Sequence, residues 1–441
     1  MESLIPYLIL DVCLLVGLGL WLHSKLTFWH PATVYLFFHA YSFTWRAIGL
    51  VSGAPPMYAQ NLAAESIAAP EYERALLWAD IGLVMFCVGV YFAHRRYVQE
   101  SNRPLVRRVL SPAIITSVCC FALPVGLWAL YAAKTNLNIG DIFASSGYFQ
   151  TAAMWPFGCA AMLIFAFGFR WYSVLLVAIY LSAVALQGYH RFMVLFPVIL
   201  LSAYYLQSRG RRWPTIPIVL IGVALALVFP RLKYIGQAYS NGDTGEAISL
   251  LLESFGGKVT NAEVSYGEDF FDQYAGGLTM TDDAGKFYYG STYLAIVTLP
   301  VPRAIWPDKP GLADHVADIS TSRRQYNIEG RILTYLGEAY LNFGYVGLVL
   351  MPALLGYFLT RWCLRATSGP MRRLDRYLYV VFYVAFIQLY RDGLLSLLVF
   401  TVAHNIPMAA TWLLHMIPGF SVKSMDRPPA DPLALEEESD A

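Results

Sequence analysis

LLWADIGLVMFCVGVYFAHRRYVQESNRPLVRR, residues 76–108, decides how this chain is read. Its first nineteen residues form an apolar run of about the length a bilayer-spanning helix needs. A basic stretch, HRRYVQESNRPLVRR (94–108), follows at once with five arginines. Short loops rich in Lys and Arg stay on the cytoplasmic side of a membrane. The segment therefore predicts both a spanning helix and its direction.

The same grammar repeats outward from this segment. Apolar runs at 4–22, 31–51, 76–94, 112–132, 153–169, 172–188, 192–207, 214–230, 332–360, 377–389 and 393–417 predict about 11 spans. SRGRR (208–212) and RWCLRATSGPMRRLDR (361–376) are two further basic loops. Alternating the spans places all three on one side. The other short loops (52–75, 133–152, 189–191 and 390–392) carry only Arg74, Lys134, Arg191 and Arg391. An outside N-terminus and a cytoplasmic C-terminus follow. The run at 4–22 lacks a basic leader and reads as a retained helix rather than a signal peptide.

Composition agrees. The 441 residues are 57% hydrophobic and 14% charged, where soluble domains carry about 25% charged residues. The fold class expected is an all-α, polytopic membrane protein. A net charge of +1 gives no reason to expect a nucleic-acid partner. Five of the six cysteines fall in apolar segments and Cys363 ends one, so neither a disulfide framework nor a zinc site is expected. The chain divides into an N-terminal bundle (1–230), a large loop (231–331), C-terminal helices (332–417) and a Pro- and Glu-rich tail (418–441).

The loop falls on the outer side. Within it TGEAISLLLESFGG (244–257) predicts an amphipathic helix, lying either on the membrane surface or on the rest of the loop. The stretch 289–305 is apolar but short and Pro-rich, which suits a re-entrant or interfacial segment.

The outer ends of the apolar segments carry Arg46, Arg191, Arg231, Arg303, Arg331 and Arg391. Arginine grips phosphate through a planar fork and keeps its charge. The set predicts an anion site, with salt bridging to Asp392 or Glu338 as the plainer use of any one of them. His190, beside Arg191 in a tight turn, is a candidate proton acceptor. Asp392 either orients Arg391 or caps a helix. Glu338 lies about two turns into the ninth predicted span, where an ionisable residue implies a task or a buried partner. No Asp-x-Asp stands in an outer loop, and no Walker loop, GxSxG or HExxH occurs. Phosphate-directed chemistry here would use arginines rather than a metal.

PVPRAIWPDKP (300–310) followed by GEAYLNFGYVG (337–347) resembles the late-loop signature of Wzy-type O-antigen polymerases, and Gly188-Tyr189-His190-Arg191 resembles their mid-chain Gly-x-Arg turn. The resemblance extends to the layout of spans, large outer loop and basic cytoplasmic loops. It implies a GT-C-like fold and a glycosyltransferase of the bacterial inner membrane. Such enzymes polymerise undecaprenyl-diphosphate-linked oligosaccharide repeat units on the periplasmic face. They need no metal or other cofactor, and they work in membrane lipid beside a chain-length regulator and a flippase. For such a reaction the candidate substrate-binding residues here are Arg191, Arg303, Lys309, Arg331, Arg391 and Asp392, and the candidate catalytic residues Glu338 or His190. Two alternatives share the layout. A ligase would pass a finished glycan to another acceptor. A transporter would bury charge at mid-membrane, which makes Arg46 and Asp80 informative.

Overall fold

The computed structural model describes residues 1–54, 67–100, 106–135, 152–187, 192–228, 242–255, 269–298, 334–368, 373–394, 405–417 and 422–425, with a few isolated positions between them. The helices, in chain order, are α1 (Ile5–Leu22), α2 (Pro31–His39), α3 (Trp45–Val51), α4 (Ala69–Glu100), α5 (Pro112–Thr135), α6 (Trp155–Phe167), α7 (Trp171–Gln187), α8 (Phe192–Ser208), α9 (Ile216–Val228) and α10 (Thr244–Phe255). They continue as α11 (Asp269–Ala284), α12 (Ser291–Thr298), α13 (Tyr335–Thr367), α14 (Leu374–Val384), α15 (Phe386–Asp392) and α16 (Ile406–Met416). One short antiparallel ribbon pairs β1 (Val106–Val109) with β2 (Val422–Met425), Val106 opposite Met425.

Among the described residues, four helices are long and apolar enough to cross a membrane: Glu2–Leu22, Ala69–Val98, Pro112–Ala132 and Tyr335–Thr367. Shorter apolar helices stand at Trp155–Phe167, Trp171–Val184, Val194–Ser208 and Ile216–Leu225. The outward faces are apolar too. Phe121 is 81% exposed and Ile216 77% exposed, which water would not tolerate along whole helices but lipid does. These helices fit an all-α, multi-pass membrane protein. Pro124, Pro197 and Pro352 lie inside helices, as membrane helices allow when neighbours satisfy the freed carbonyls.

Two compact units interleave along the chain. The first comprises Met1–Ala93, Thr260–Thr360 and Ala385–Val399. In it α2 begins on Pro31 with the His30 ring accepting the Ala32 N–H at 3.1 Å, a cap for an otherwise open donor. A π-helical turn, Ala40–Thr44, joins α2 to α3 and packs on α1 and α11. Arg46, two residues beyond this turn, is 3% exposed.

The second unit comprises His94–Val259, Arg361–Val384 and Phe400–Ala441. Its centre is α6, which is buried nearly all round and packs on α5, α7 and α16. His415 ties α16 to the start of α5, its Nε2 accepting the Ser111 N–H at 2.9 Å. The amphipathic helix expected at 244–257 is α10. It packs on α9, with Ile248 and Leu252 exposed.

Helix occurs within each predicted span, but among the described residues only the four above reach spanning length, and the run expected at 393–417 carries a named helix only over Ile406–Met416. The segment expected at 377–389 divides at Ala385 into α14 and α15. The long α13 breaks at Gly344, whose φ of 58° and ψ of −146° belong to glycine alone.

Candidate functional site

The break at Gly344 builds the site. A helix that stops hydrogen-bonding forward leaves carbonyls without partners. Here the Leu341 and Asn342 carbonyls accept the N–H groups of Tyr288 (3.1 Å) and Tyr289 (2.9 Å). The Asn342 side chain completes the seam: Oδ1 accepts the Gly290 N–H at 2.9 Å, and Nδ2 donates to Thr292 Oγ1 at 2.6 Å and to the Glu338 carbonyl at 2.8 Å. The start of α12 is thereby laid along the first two turns of α13. A substitution at Gly344 would also meet the Phe287 ring at 3.2 Å.

Glu338 points from those turns into the protein and is fully buried. Its Oε2 accepts the Leu394 N–H at 2.8 Å, while Oε1 has no partner among the described residues. The hydroxyls of Tyr293 and Tyr335 are also buried and unpaired among the described residues. Both lie within electrostatic reach of the Glu338 carboxylate. One oxygen is thus fixed and the other is left without a hydrogen-bond partner among the described residues. That is a geometry in which a carboxylate can exchange a proton with a hydroxyl.

Leu394 follows the Arg391-Asp392 pair at the end of α15. Arg391 Nε donates to Asp392 Oδ1 at 2.7 Å, and its guanidinium stands 5.9 Å from the centre of the Phe270 ring. Arg391 is 40% exposed and Asp392 buried. Burial holds the Asp392 carboxyl above the ordinary carboxylate range, with the Arg391 charge working against it. The arginine is oriented and still open on one side.

Of the expected site residues, Glu338, Arg391 and Asp392 converge on this corner. His190, Arg191, Arg303, Lys309 and Arg331 lie outside the described residues, as does Arg231. Arg46 turns out to be a tie. Its Nε donates to Asp272 Oδ2 at 2.8 Å, and the Tyr72 hydroxyl donates to the other oxygen of the same carboxylate. Arg74 and Tyr340 hold Asp282 in the same manner, with Arg74 Nη1 2.5 Å from Oδ2. Helix α11 is pinned by these two carboxylates to α3, α4 and α13.

One group escapes a sequence reading. Asp11, His39 and Asp80, from α1, α2 and α4, meet in the interior and are 0%, 0% and 2% exposed. The only hint is an ionisable residue inside each of three separate helices.

Comparison with family models, with curated proteins and with solved structures finds no match to this chain.

Proposed function

We propose that the protein is a GT-C-like glycosyltransferase of about 11 spans in a bacterial inner membrane, with its N-terminus and large loop periplasmic and its C-terminus cytoplasmic. It polymerises undecaprenyl-diphosphate-linked oligosaccharide repeat units, a chain-length regulator and a flippase acting beside it. The observation that supports this reading is the Glu338 carboxylate, held on one oxygen by the N–H of Leu394, three residues along from the exposed Arg391, and without a hydrogen-bond partner on the other oxygen among the described residues.

Glu338 Oε1 takes the proton of the acceptor sugar hydroxyl. The hydroxyl oxygen attacks the anomeric carbon of the donor glycan, the bond from that carbon to the diphosphate oxygen breaks, and undecaprenyl diphosphate leaves. Its developing charge is met by Arg391, aligned by Asp392, together with Arg191, Arg303, Arg331 and Lys309. Fixed cations in a low-dielectric site act where charge appears and need no reorganisation. His190 is the alternative proton acceptor.

Deleting the gene and profiling the glycans tests the reading. Polymerase action predicts that long chains vanish and single repeat units persist, and that Glu338→Gln reproduces this with normal protein in the membrane. Full-length polymer accumulating on the carrier lipid would make the protein a ligase instead. The buried Asp11–His39–Asp80 group favours a second reading, transport. That reading predicts that nothing reaches the outer face at all.

A further inference from the structure

Three helices that share no sequence motif bring Asp11, His39 and Asp80 together with one ligand atom of each within 4.8 Å of the others. His39 Nε2 is 2.8 Å from Asp11 Oδ1 and 3.4 Å from Asp80 Oδ1. Nε2 carries at most one proton, so it can bond one of the two carboxylates well and not both. The hydrogen-bond ledger shows the deficit. Asp11 Oδ2, both Asp80 oxygens, His39 Nδ1 and the hydroxyl of Thr44 are buried without a hydrogen-bond partner among the described residues. Thr44 closes the π-helical turn and its hydroxyl lies within reach of the Asp11 carboxylate.

Were both carboxylates ionised beside a neutral imidazole, the form that ligates a metal, two negative charges would be buried, and isolated buried charge is among the least tolerable things in a protein interior. A dication cancels both at once. It also bonds all three side chains, which one proton on Nε2 cannot do. Bonds of about 2.0–2.2 Å to nitrogen and oxygen in a tetrahedral shell put neighbouring ligand atoms about 3.3–3.6 Å apart. The His39–Asp80 separation already lies in that range, and the His39–Asp11 pair needs to open by only about half an ångström to reach it. A shell of one imidazole and two carboxylates suits zinc or manganese rather than calcium or magnesium, which take oxygen alone.

We propose that Asp11, His39 and Asp80 form a binding site for a divalent transition cation of the zinc or manganese class, separate from the Glu338 corner and independent of the glycan chemistry assigned there. The cation ties α1, α2 and α4 together near the π-helical turn.

The test uses the full-length protein purified in detergent, stripped with chelator and dialysed against Zn²⁺ alone. One ion per chain is expected, with at least tenfold weaker retention in Asp11→Asn/Asp80→Asn, which keeps side-chain volume and removes both charges. Wild-type protein that retains no more zinc than this variant overturns the site and leaves a histidine–carboxylate ion pair. Zinc retained equally by a folded variant also overturns it, since the ion is then held elsewhere. Should the variant fail to fold, X-ray absorption at the zinc edge of the wild type decides. One imidazole per ion supports the proposal; none, more than one, or sulfur ligands overturns it.

Discussion

A β-carbon placed on Gly393 would stand 2.2 Å from Glu338 Oε2. Two segments 55 residues apart in sequence therefore meet with no room for a single methyl group. The backbone at Gly393, with φ 91° and ψ −177°, also lies in a region almost reserved for glycine. Gly393→Ala should cost about 1–3 kcal/mol from backbone strain and should push the carboxylate off the Leu394 N–H. Polymer yield is expected to fall at least tenfold while membrane-inserted protein stays near wild type. Full polymer length in this variant would remove Glu338 from the mechanism.

The Arg46–Asp272 pair makes a separate prediction, on the link between burial and stability. Both side chains are nearly inaccessible, at 3% and 0%. Removing one partner of a buried pair strands the other's charge and costs about 3–5 kcal/mol. Arg46→Met should lower the unfolding temperature in detergent by many degrees. Arg46→Met/Asp272→Leu should recover much of it, because apolar replacement of a whole buried pair is often close to neutral. No loss in the single variant would show that α11 is not held by this pair.

The elements were legible in the sequence because a spanning helix is a property of one contiguous stretch. An apolar run beside a cluster of arginines announces itself, and 76–108 does both. Glu338 was legible for the same reason, as a charge in an apolar run. Its partner was not, since the Leu394 N–H reaches it only when α15 ends beside the first turns of α13. Arg46 resembled the other arginines of its side until the fold supplied Asp272, 226 residues away. The Asp11–His39–Asp80 group was hidden more deeply. Metal motifs are recognised by short fixed spacings on one element, and these three residues come from three helices and stand 28 and 41 positions apart in sequence. The break at Gly344 is likewise invisible among 33 glycines, because only the approach of Phe287 and the unfilled carbonyls gives it meaning.

Helices α4 and α13 approach closely enough to require small residues. A β-carbon on Gly89 would lie 2.1 Å from the Ala353 carbonyl oxygen, and one on Gly356 2.2 Å from that of Phe86. Such contacts let backbones gain van der Waals packing where lipid provides no hydrophobic drive. Gly89→Leu and Gly356→Leu should each separate the helices and sharply reduce the folded yield in detergent. Gly17→Leu, where nothing lies within 4 Å, is the control and should behave as wild type. Loss of folded protein in all three would point to insertion rather than packing.

Asp392 gives a pH dependence whose sign can be worked out. Its folded-state pKa is raised from about 3.8, chiefly by burial. A carboxyl of this kind penalises the fold once it must ionise. The penalty is absent below about pH 3.8, where the unfolded carboxyl is also protonated, and grows as pH rises through the folded value. Asp392→Asn should therefore gain stability relative to wild type as pH is raised from about 3.5 to 7. Thermal unfolding of both proteins across that range checks it. A relative loss would mean that the Arg391 ion pair outweighs desolvation.

Asn342 closes the seam between α12 and α13, and three of its four side-chain and main-chain contacts are with residues 289–292. The Asn342→Leu variant keeps the volume but leaves the Gly290 N–H and the Thr292 hydroxyl without this partner. Each buried group so stranded costs about 1–3 kcal/mol. Because the Tyr288 and Tyr289 N–H bonds to α13 carbonyls survive the change, the segment should loosen locally while the helices stay folded. Amide exchange across 288–298 should rise at least tenfold, with the transmembrane parts of α4 and α13 unchanged. Tyr293 rides on that segment, so the setting of Glu338 should loosen with it and polymer yield should fall without loss of membrane-inserted protein. A variant that exchanges faster over 288–298 yet polymerises normally would show that α12 and its tyrosine stand outside the reaction.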